Sequence, residues 1–282
     1  MKLIGVDLGG TKITAALIED EKIVKQHTCQ TPFDQAKMVV VDAIAAAISK
    51  VYDSEIVGIG IGVPGPVDLQ NNLVLDVTNI PSWNVVPLKQ LLEDRFPKPV
   101  FVNNDANCFA LGEKHFGKGR PYRNFVGVTL GTGLGAGIII NNHLYSGQLC
   151  GAGEFGNIYY LDSNIENYCS GMFFKNRNLN GRELAEKAKA GDAEAQKLFD
   201  ELGIHIAHGI GNILFALAPE AIILGGSVSQ SFALFENGMR KAFEDFPYQK
   251  LYRKLKIEIS DETNMAVLGA SSLVIDAMIS LT

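Results

Sequence analysis

The stretch Leu3-Ile4-Gly5-Val6-Asp7-Leu8-Gly9-Gly10-Thr11-Lys12 decides the reading of the fold. Its apolar first half predicts a strand, Gly9-Gly10-Thr11 a tight turn, and Ile13 to Ile18 a returning strand. A polar turn over Glu19 to Lys22 leads to a third strand, Ile23 to Thr28. The pattern returns 122 positions later, where Val126-Gly-Val-Thr-Leu-Gly131 matches Ile4-Gly-Val-Asp-Leu-Gly9. Gly5/Gly127, Val6/Val128, Leu8/Leu130, Gly9/Gly131 and Ile18/Ile140 are identical pairs. Both halves run strand, glycine turn, strand, polar turn, strand, and the second polar turn is Asn141-Asn142-His143. Chance supplies a few matches between glycine-rich strands, but seldom the same succession of elements. The repeat predicts an α/β protein of two related domains facing each other across a central cleft.

Outward from the repeat, Gln35 to Tyr52 carries apolar residues at helical spacing (Met38, Val41, Ile44, Ile48, Val51). Ile56 to Val63 is a continuous apolar run, a strand buried on both faces. It ends in the rigid loop Pro64-Gly65-Pro66. A short helix over Pro87 to Phe96, a strand over Val100 to Asn103 and a helix over Cys108 to His115 follow. The glycine- and charge-rich Gly117-Lys-Gly-Arg-Pro121 marks a boundary between a small domain, 1–118, and a large one, 119–265. In the second half the spacing predicts helices over Leu184 to Phe199 and Leu202 to Ala218, and a buried strand over Glu220 to Leu224 closed by Gly225-Gly226-Ser227. A helix over Phe232 to Phe243, a strand over Leu255 to Ile259 and a C-terminal helix within 266–282, packing back on the small domain, complete the reading.

Composition narrows the partners. The 282 residues are 47% hydrophobic and 20% charged, an ordinary globular balance. The net charge of −6 comes with no basic block, which argues against nucleic acid. Cys29, Cys108, Cys150 and Cys169 form no metal-type or redox-type pair, and read as reduced thiols of a cytoplasmic protein. The first strand begins at Lys2, so no signal peptide is expected, and no apolar run is long enough for a membrane span.

The glycine turns are the first candidates for chemistry. A turn without side chains lets backbone amides approach a polyanion. Lys12 adds a cation, and Asp7 a carboxylate able to hold Mg²⁺ through water. Gly131-Thr132-Gly133 is the corresponding turn of the second half, with a hydroxyl donor. As plain hairpin turns neither would mean much alone; their duplication favours phosphate binding. Neither is a Walker loop or a dinucleotide fingerprint, because each leads into a strand rather than a helix. Asn104-Asp105-Ala106-Asn107 lies between a strand and a helix, where either of its first two residues can cap the helix. Glu154, Asn157 and Glu166 supply carboxylates and an amide suited to vicinal hydroxyls; the alternative is solvated loop polar groups and, for Glu166, a helix N-terminal acid.

Together Asp7-Leu-Gly-Gly-Thr-Lys12, Gly62-Val-Pro-Gly-Pro-Val67, Asn104-Asp-Ala-Asn107, Leu130-Gly-Thr-Gly133, Gly151-Ala-Gly-Glu154 and Leu224-Gly-Gly226 resemble the ROK family of repressors and sugar kinases. The resemblance spans essentially the whole chain and implies two actin/hexokinase-type (ribonuclease H-like) domains. It implies ATP-dependent phosphorylation of a hexose primary hydroxyl, glucose first among the acceptors, with N-acetylmannosamine or fructose as alternatives. It makes Asp105 the general base, and Gly65, Asn79, Asn104, Asp105, Glu154, Asn157 and Glu166 the sugar site. Asp7, Gly9, Gly10, Thr11, Lys12, Gly131, Thr132 and Gly133 become the phosphate site, Gly225 and Gly226 lie at the adenosine, and ATP and Mg²⁺ are the expected cofactors. A homodimer through the large domain is also implied.

Two departures stand out. The family carries His after Glu-x-Gly, but here the residue is Asn157. The family's Cys-x-Cys-Gly-x-x-Gly-Cys zinc loop is missing, with eight residues between Asn157 and Glu166, so no structural zinc is expected. With the first strand beginning at Lys2, the helix-turn-helix of the repressor branch is not expected. A sugar-sensing module without catalysis is the competing reading, and a sugar-independent ATPase of the same fold a third.

Overall fold

A computed structural model describes residues 1–261 and 264–279. Strands β1 (Lys2–Leu8), β2 (Lys12–Glu19) and β3 (Lys22–Gln30) form the expected antiparallel meander. Asp20 and Glu21 have positive φ (48° and 66°), the twist a two-residue hairpin favours. Helix α1 (Lys37–Val51) buries its Val40, Val41, Ile44 and Ile48 face against β2 and β3. Strand β4 (Ile59–Val63) is wholly buried and pairs parallel with β1. A small sheet follows, β5 (Val67–Asp68), β6 (Leu73–Leu75) and β7 (Val85–Val86), then α2 (Leu88–Glu93). Strand β8 (Val100–Asn104) pairs parallel with β4 and leads directly into α3 (Asp105–Phe116).

The second half repeats the plan. Strands β9 (Phe125–Leu130), β10 (Leu134–Ile140) and β11 (His143–Leu144) come first, with Asn141 and Asn142 at positive φ in the polar turn. The hairpin β12 (Tyr159–Tyr160) and β13 (Ser163–Asn164) precedes α4 (Ile165–Cys169), α5 (Met172–Lys175), α6 (Gly181–Lys189) and α7 (Ala193–Leu217). Strand β14 (Ala221–Gly225), helices α8 (Phe232–Ala242) and α9 (Gln249–Tyr252), β15 (Lys256–Ile259) and α10 (Met265–Ile279) complete the chain. Residues 280–282 of the predicted last helix lie outside the described residues.

The two main sheets have the orders β3-β2-β1-β4-β8 and β11-β10-β9-β14-β15. Each is a meander whose first strand then pairs parallel with a later one. The repeat read from two short motifs is therefore a repeat of whole-sheet topology. By contact the chain divides into one unit of Met1–Pro121, Gly137–Ala152 and Asp261–Thr282, and a second of Tyr122–Ala136 and Gly153–Ser260. The segment Gly137–Ala152 thus groups with the first unit, whereas the division drawn from sequence at 118/119 assigns it to the second.

Two helix boundaries differ from the sequence reading. Helix α3 begins at Asp105 rather than Cys108, because the Asn104 side chain accepts from the Ala106 and Asn107 amides and caps it there. The break expected after Phe199 lies instead at Ala190–Asp192. Gly191 has φ of 92°, and the Asp192 carboxylate accepts from the Glu194 and Ala195 amides at 3.0 and 2.9 Å. Beyond it the apolar face continues unbroken through Phe199, Leu202, Ile206 and Ile210.

In the first unit α10 lies in backbone contact with its neighbours. A Cβ on Gly5, Gly60 or Gly269 would overlap the carbonyl oxygen of Val267, Ala270 or Cys108 respectively. Glycine at these positions lets α10 approach β1, β4 and α3 more closely than side chains would allow.

Candidate active site

In the first unit the site is assembled at the C-terminal ends of the parallel strands β1, β4 and β8, where ligands gather in open α/β sheets. Asp7 is in register with Gly62, and Gly62 with Asn103. A Cβ on Gly62 would lie 3.5 Å from the Asp105 Cα and 3.2 Å from the Cys108 sulfur. The bare backbone of Gly62 therefore separates the two carboxylate-bearing positions. Asn104 also donates its amide to the Gly65 carbonyl at 3.4 Å, joining two of the expected sugar residues. Asp105 accepts from the Ala106 amide at 2.8 Å and occupies the first turn of α3, where the helix dipole favours an ionised carboxylate.

Beneath this cap lies a layer the sequence reading missed. The side-chain oxygen of buried Asn103 accepts from the Asn104 backbone at 2.8 Å and from the side-chain Nδ2 of Asn107 at 2.9 Å, locking the strand-to-helix turn. Thr31 was likewise overlooked. Its buried hydroxyl donates to the Gly9 carbonyl at 2.7 Å, and its amide donates to the Thr11 carbonyl at 2.9 Å. The Gly9 amide closes the same turn on the Lys12 carbonyl at 2.8 Å. Asn79 packs against this turn, its Cβ 2.9 Å from where a Gly10 side chain would begin.

Burial, reinforced by the negative charge of Asp105, pushes the Asp7 carboxyl up from 3.8 to about 6. Between those values the folded chain binds more protons at Asp7 than the unfolded chain. The group's contribution to stability therefore falls as pH rises through the window, and is unfavourable above it. Asp7→Asn removes this partly buried charge. In buffer free of divalent cations its urea midpoint is expected to exceed that of the wild type at about pH 8, and the gain to shrink towards about pH 4. A variant no more stable at the higher pH would contradict this account of Asp7.

The second unit holds the other glycine turn. The Gly131 amide donates to the Gly133 carbonyl at 3.0 Å, and a Cβ on Gly131 would meet nothing within 4 Å, so its backbone is open to approach. Glu166, in the first turn of α4, accepts from the Leu134 amide at 2.8 Å, and its carboxylate fills the space beside Gly133. Buried Ser170 donates to the Thr132 carbonyl at 3.0 Å. Gly156 lies against Glu166, 3.4 Å from a Gly156 Cβ position to the Glu166 Cβ, which brings the Glu154–Asn157 turn to the same place. There the side-chain Nδ2 of Asn157 donates to the Glu154 carboxylate at 2.8 Å. Gly226 has φ of 84° and packs on Leu130, a fit only glycine allows. Ser227, next to it, lines a cavity of about 730 Å³ with Gly171, Phe174, Asn180, Arg182 and Gln230.

The expected site residues thus fall into two sets. Asp7, Gly9 to Lys12, Gly65, Asn79, Asn104 and Asp105 lie in the first unit. Gly131 to Gly133, Glu154, Asn157, Glu166, Gly225 and Gly226 lie in the second. The donors around Asn157 do not fit a zinc ion. Cys169 is buried beside Gly209, and burial pushes its thiol far above the usual range. Among the described residues no group of three or more His, Cys, Asp or Glu could hold a metal ion. Nor is any described helix long and apolar enough to cross a membrane.

Duplicated sheets, two glycine turns and a carboxylate at a helix N-terminus define a phosphate-handling protein of the actin/hexokinase-type fold. The chain belongs to the ROK family, whose model matches residues 3–277. It is 31% identical over 308 residues to a glucokinase of Thermotoga maritima, with 97% of each chain covered. It is 28% identical over 296 residues to the xylose repressor of Bacillus subtilis, covering 97% of this chain and 77% of the repressor. Among solved structures, a ROK family glucokinase from Streptomyces griseus in complex with glucose and AMPPNP is similar at a TM-score of 0.82. That pair shares 32% identity over 97% of this chain and 99% of the other.

Proposed function

We propose that this chain is a cytoplasmic, ATP-dependent hexose kinase, with glucose the leading acceptor. The observation that carries the reading is the Asn104-Asp105 turn. Asn104 caps α3, and Asp105 stands in the helix's first turn at the C-terminal strand ends. Similarity to glucokinases over nearly the whole chain supports the same reading.

In the proposed reaction Asp105 accepts the proton of the sugar's primary hydroxyl as that oxygen attacks the γ-phosphoryl group, and the bond from the γ-phosphorus to the β-phosphate oxygen breaks so that ADP leaves. Asn104, Gly65, Asn79, Glu154, Asn157 and Glu166 orient the sugar through its hydroxyls. The backbone amides of Gly9, Gly10, Thr11, Gly131, Thr132 and Gly133, with Lys12, hold the phosphates. The cavity beside Gly226 and Ser227 is assigned to the adenosine, with Gly225 in the turn that leads to it. A partly buried Asp7 carboxylate with a raised proton affinity fits a nearby cation, and Asp7 would hold Mg²⁺ through water. When bound, that ion supplies neutralising charge at the phosphates. A homodimer belongs to the same reading.

The xylose repressor relationship favours a second reading, a sugar sensor without catalysis. ADP release measured across glucose, mannose, fructose, N-acetylmannosamine and N-acetylglucosamine separates the two. Release that requires a hexose, greatest with glucose, is expected. Sugar binding without release would establish the sensor, and release without sugar an ATPase.

A further inference from the structure

Between Asn157 and Glu166, where the family resemblance implies a metal-bound loop, the chain carries a short hairpin whose Tyr160 joins a clasp of aromatic and imidazole rings from α4, α5 and α7. Strands β12 and β13 pair through Tyr159 with Asn164 and Tyr160 with Ser163. So short a hairpin does not hold itself in water. Its fastenings lie outside it. The Tyr160 hydroxyl is 3.1 Å from Nδ1 of His205 on α7. The Tyr160 ring stands edge-on to His205 and Tyr168, with centroids 5.6 and 5.4 Å away. The His205 ring lies 4.9 Å from that of Tyr168 and 5.9 Å from that of Phe173. Behind it Glu201 stands 3.6 Å from Nε2 and pairs at 2.6 Å with Arg177, which covers the Phe173 ring.

A second fastening runs to α4. The Tyr168 hydroxyl donates to Asp162 in the hairpin turn, and the side-chain Nδ2 of Asn167 to the Ser163 hydroxyl at 3.0 Å. The Ile165 amide donates to the Ile158 carbonyl at 3.0 Å, closing the base of the hairpin. Burial pushes the Tyr160 hydroxyl up to about 12 and holds His205 below its ordinary value, with Glu201 opposing. Both rings are thus neutral near neutral pH. That suits the His205 tautomer with its proton on Nε2 towards Glu201 and Nδ1 accepting from Tyr160.

We propose that this clasp takes the place of a structural metal, holding the Glu154–Asn157 turn and Glu166 in one fixed arrangement, so that Tyr160 and His205 are positioning residues for sugar recognition. The turn and Glu166 are the two ends of the segment the clasp closes, and Gly156 packs directly on Glu166. The link to sugar rests on the kinase reading; the clasp itself does not.

The test compares full-length wild type, Tyr160→Phe and Tyr160→Ala. Phenylalanine keeps the ring contacts and loses the bond to His205, while alanine loses both. Amide hydrogen exchange is expected to quicken about tenfold over 154–166 in the alanine variant, with the rest of the chain unchanged. The KM for sugar is expected to rise about tenfold, the KM for ATP to stay within about twofold, and Phe to lie between. A zinc chelator should leave wild-type sugar KM and local exchange unchanged. The proposal is overturned by unchanged exchange at 154–166 in Tyr160→Ala, by faster exchange throughout the chain, or by stoichiometric zinc whose removal loosens this segment. If the wild type phosphorylates no sugar, the kinase reading fails while the exchange comparison still decides the clasp.

Discussion

Asp105→Asn is expected to lower kcat about 10²–10⁴-fold, the range removed with a positioned general base. Asparagine has nearly the same shape, and its amide oxygen can still accept from the Ala106 amide as the carboxylate does at 2.8 Å. The cap of α3 belongs to Asn104, so the helix start survives the change. What is lost is the acceptor for the sugar proton, together with a first-turn charge worth roughly 0.3–1 kcal/mol to the helix. Sugar affinity measured by titration calorimetry should change by less than about tenfold, because a ground-state hydrogen bond can be remade by the amide. Turnover within a few-fold of wild type would remove Asp105 from the role of base.

Gly269→Ala is expected to be strongly destabilising, through a single methyl group. The new Cβ would overlap the Cys108 carbonyl oxygen and come within 3.1 Å of the Gly112 amide nitrogen, both on α3. Neither atom is the far end of a flexible side chain, so one helix must move. Overpacking of this kind costs about 1–3 kcal/mol or more, which should appear as a lower urea midpoint at unchanged m-value. The effect should reach the chemistry. Cys108 lies one turn after Asp105, and a misplacement of about 1 Å can cost roughly 10²-fold in rate. Stability and kcat should therefore fall together. A variant as stable and active as the wild type would show that α10 and α3 are not in backbone contact.

The parts of the fold legible in the sequence were those carried by local pattern. The two glycine turns, the apolar runs of β1, β4, β9 and β14, and the helical spacing in α1 all lie within single windows. Asn104-Asp105 was legible for the same reason, since a polar pair between strand and helix is a local cap. The helix break at Gly191-Asp192 has a local signal too, a glycine followed by a capping acid. It was obscured by the long apolar stripe around it. Strands of two or three residues, such as β5 and β12, are too short to show a period. Thr31 and Ser170 matter through bonds to glycine turns distant in sequence, and nothing in their own neighbourhoods announces that. The Tyr160–His205 pairing is likewise long-range. The absent zinc loop was legible as a departure from the family, but what stands in its place was not.

Phosphorus NMR of the purified chain with ATP, Mg²⁺ and glucose tests the central claim most directly. The account predicts a phosphate ester at the sugar's primary hydroxyl, growing as the γ-phosphate signal declines, in equal amount to ADP. Inorganic phosphate without the ester, or an unchanged ATP spectrum in the presence of bound glucose, would contradict it.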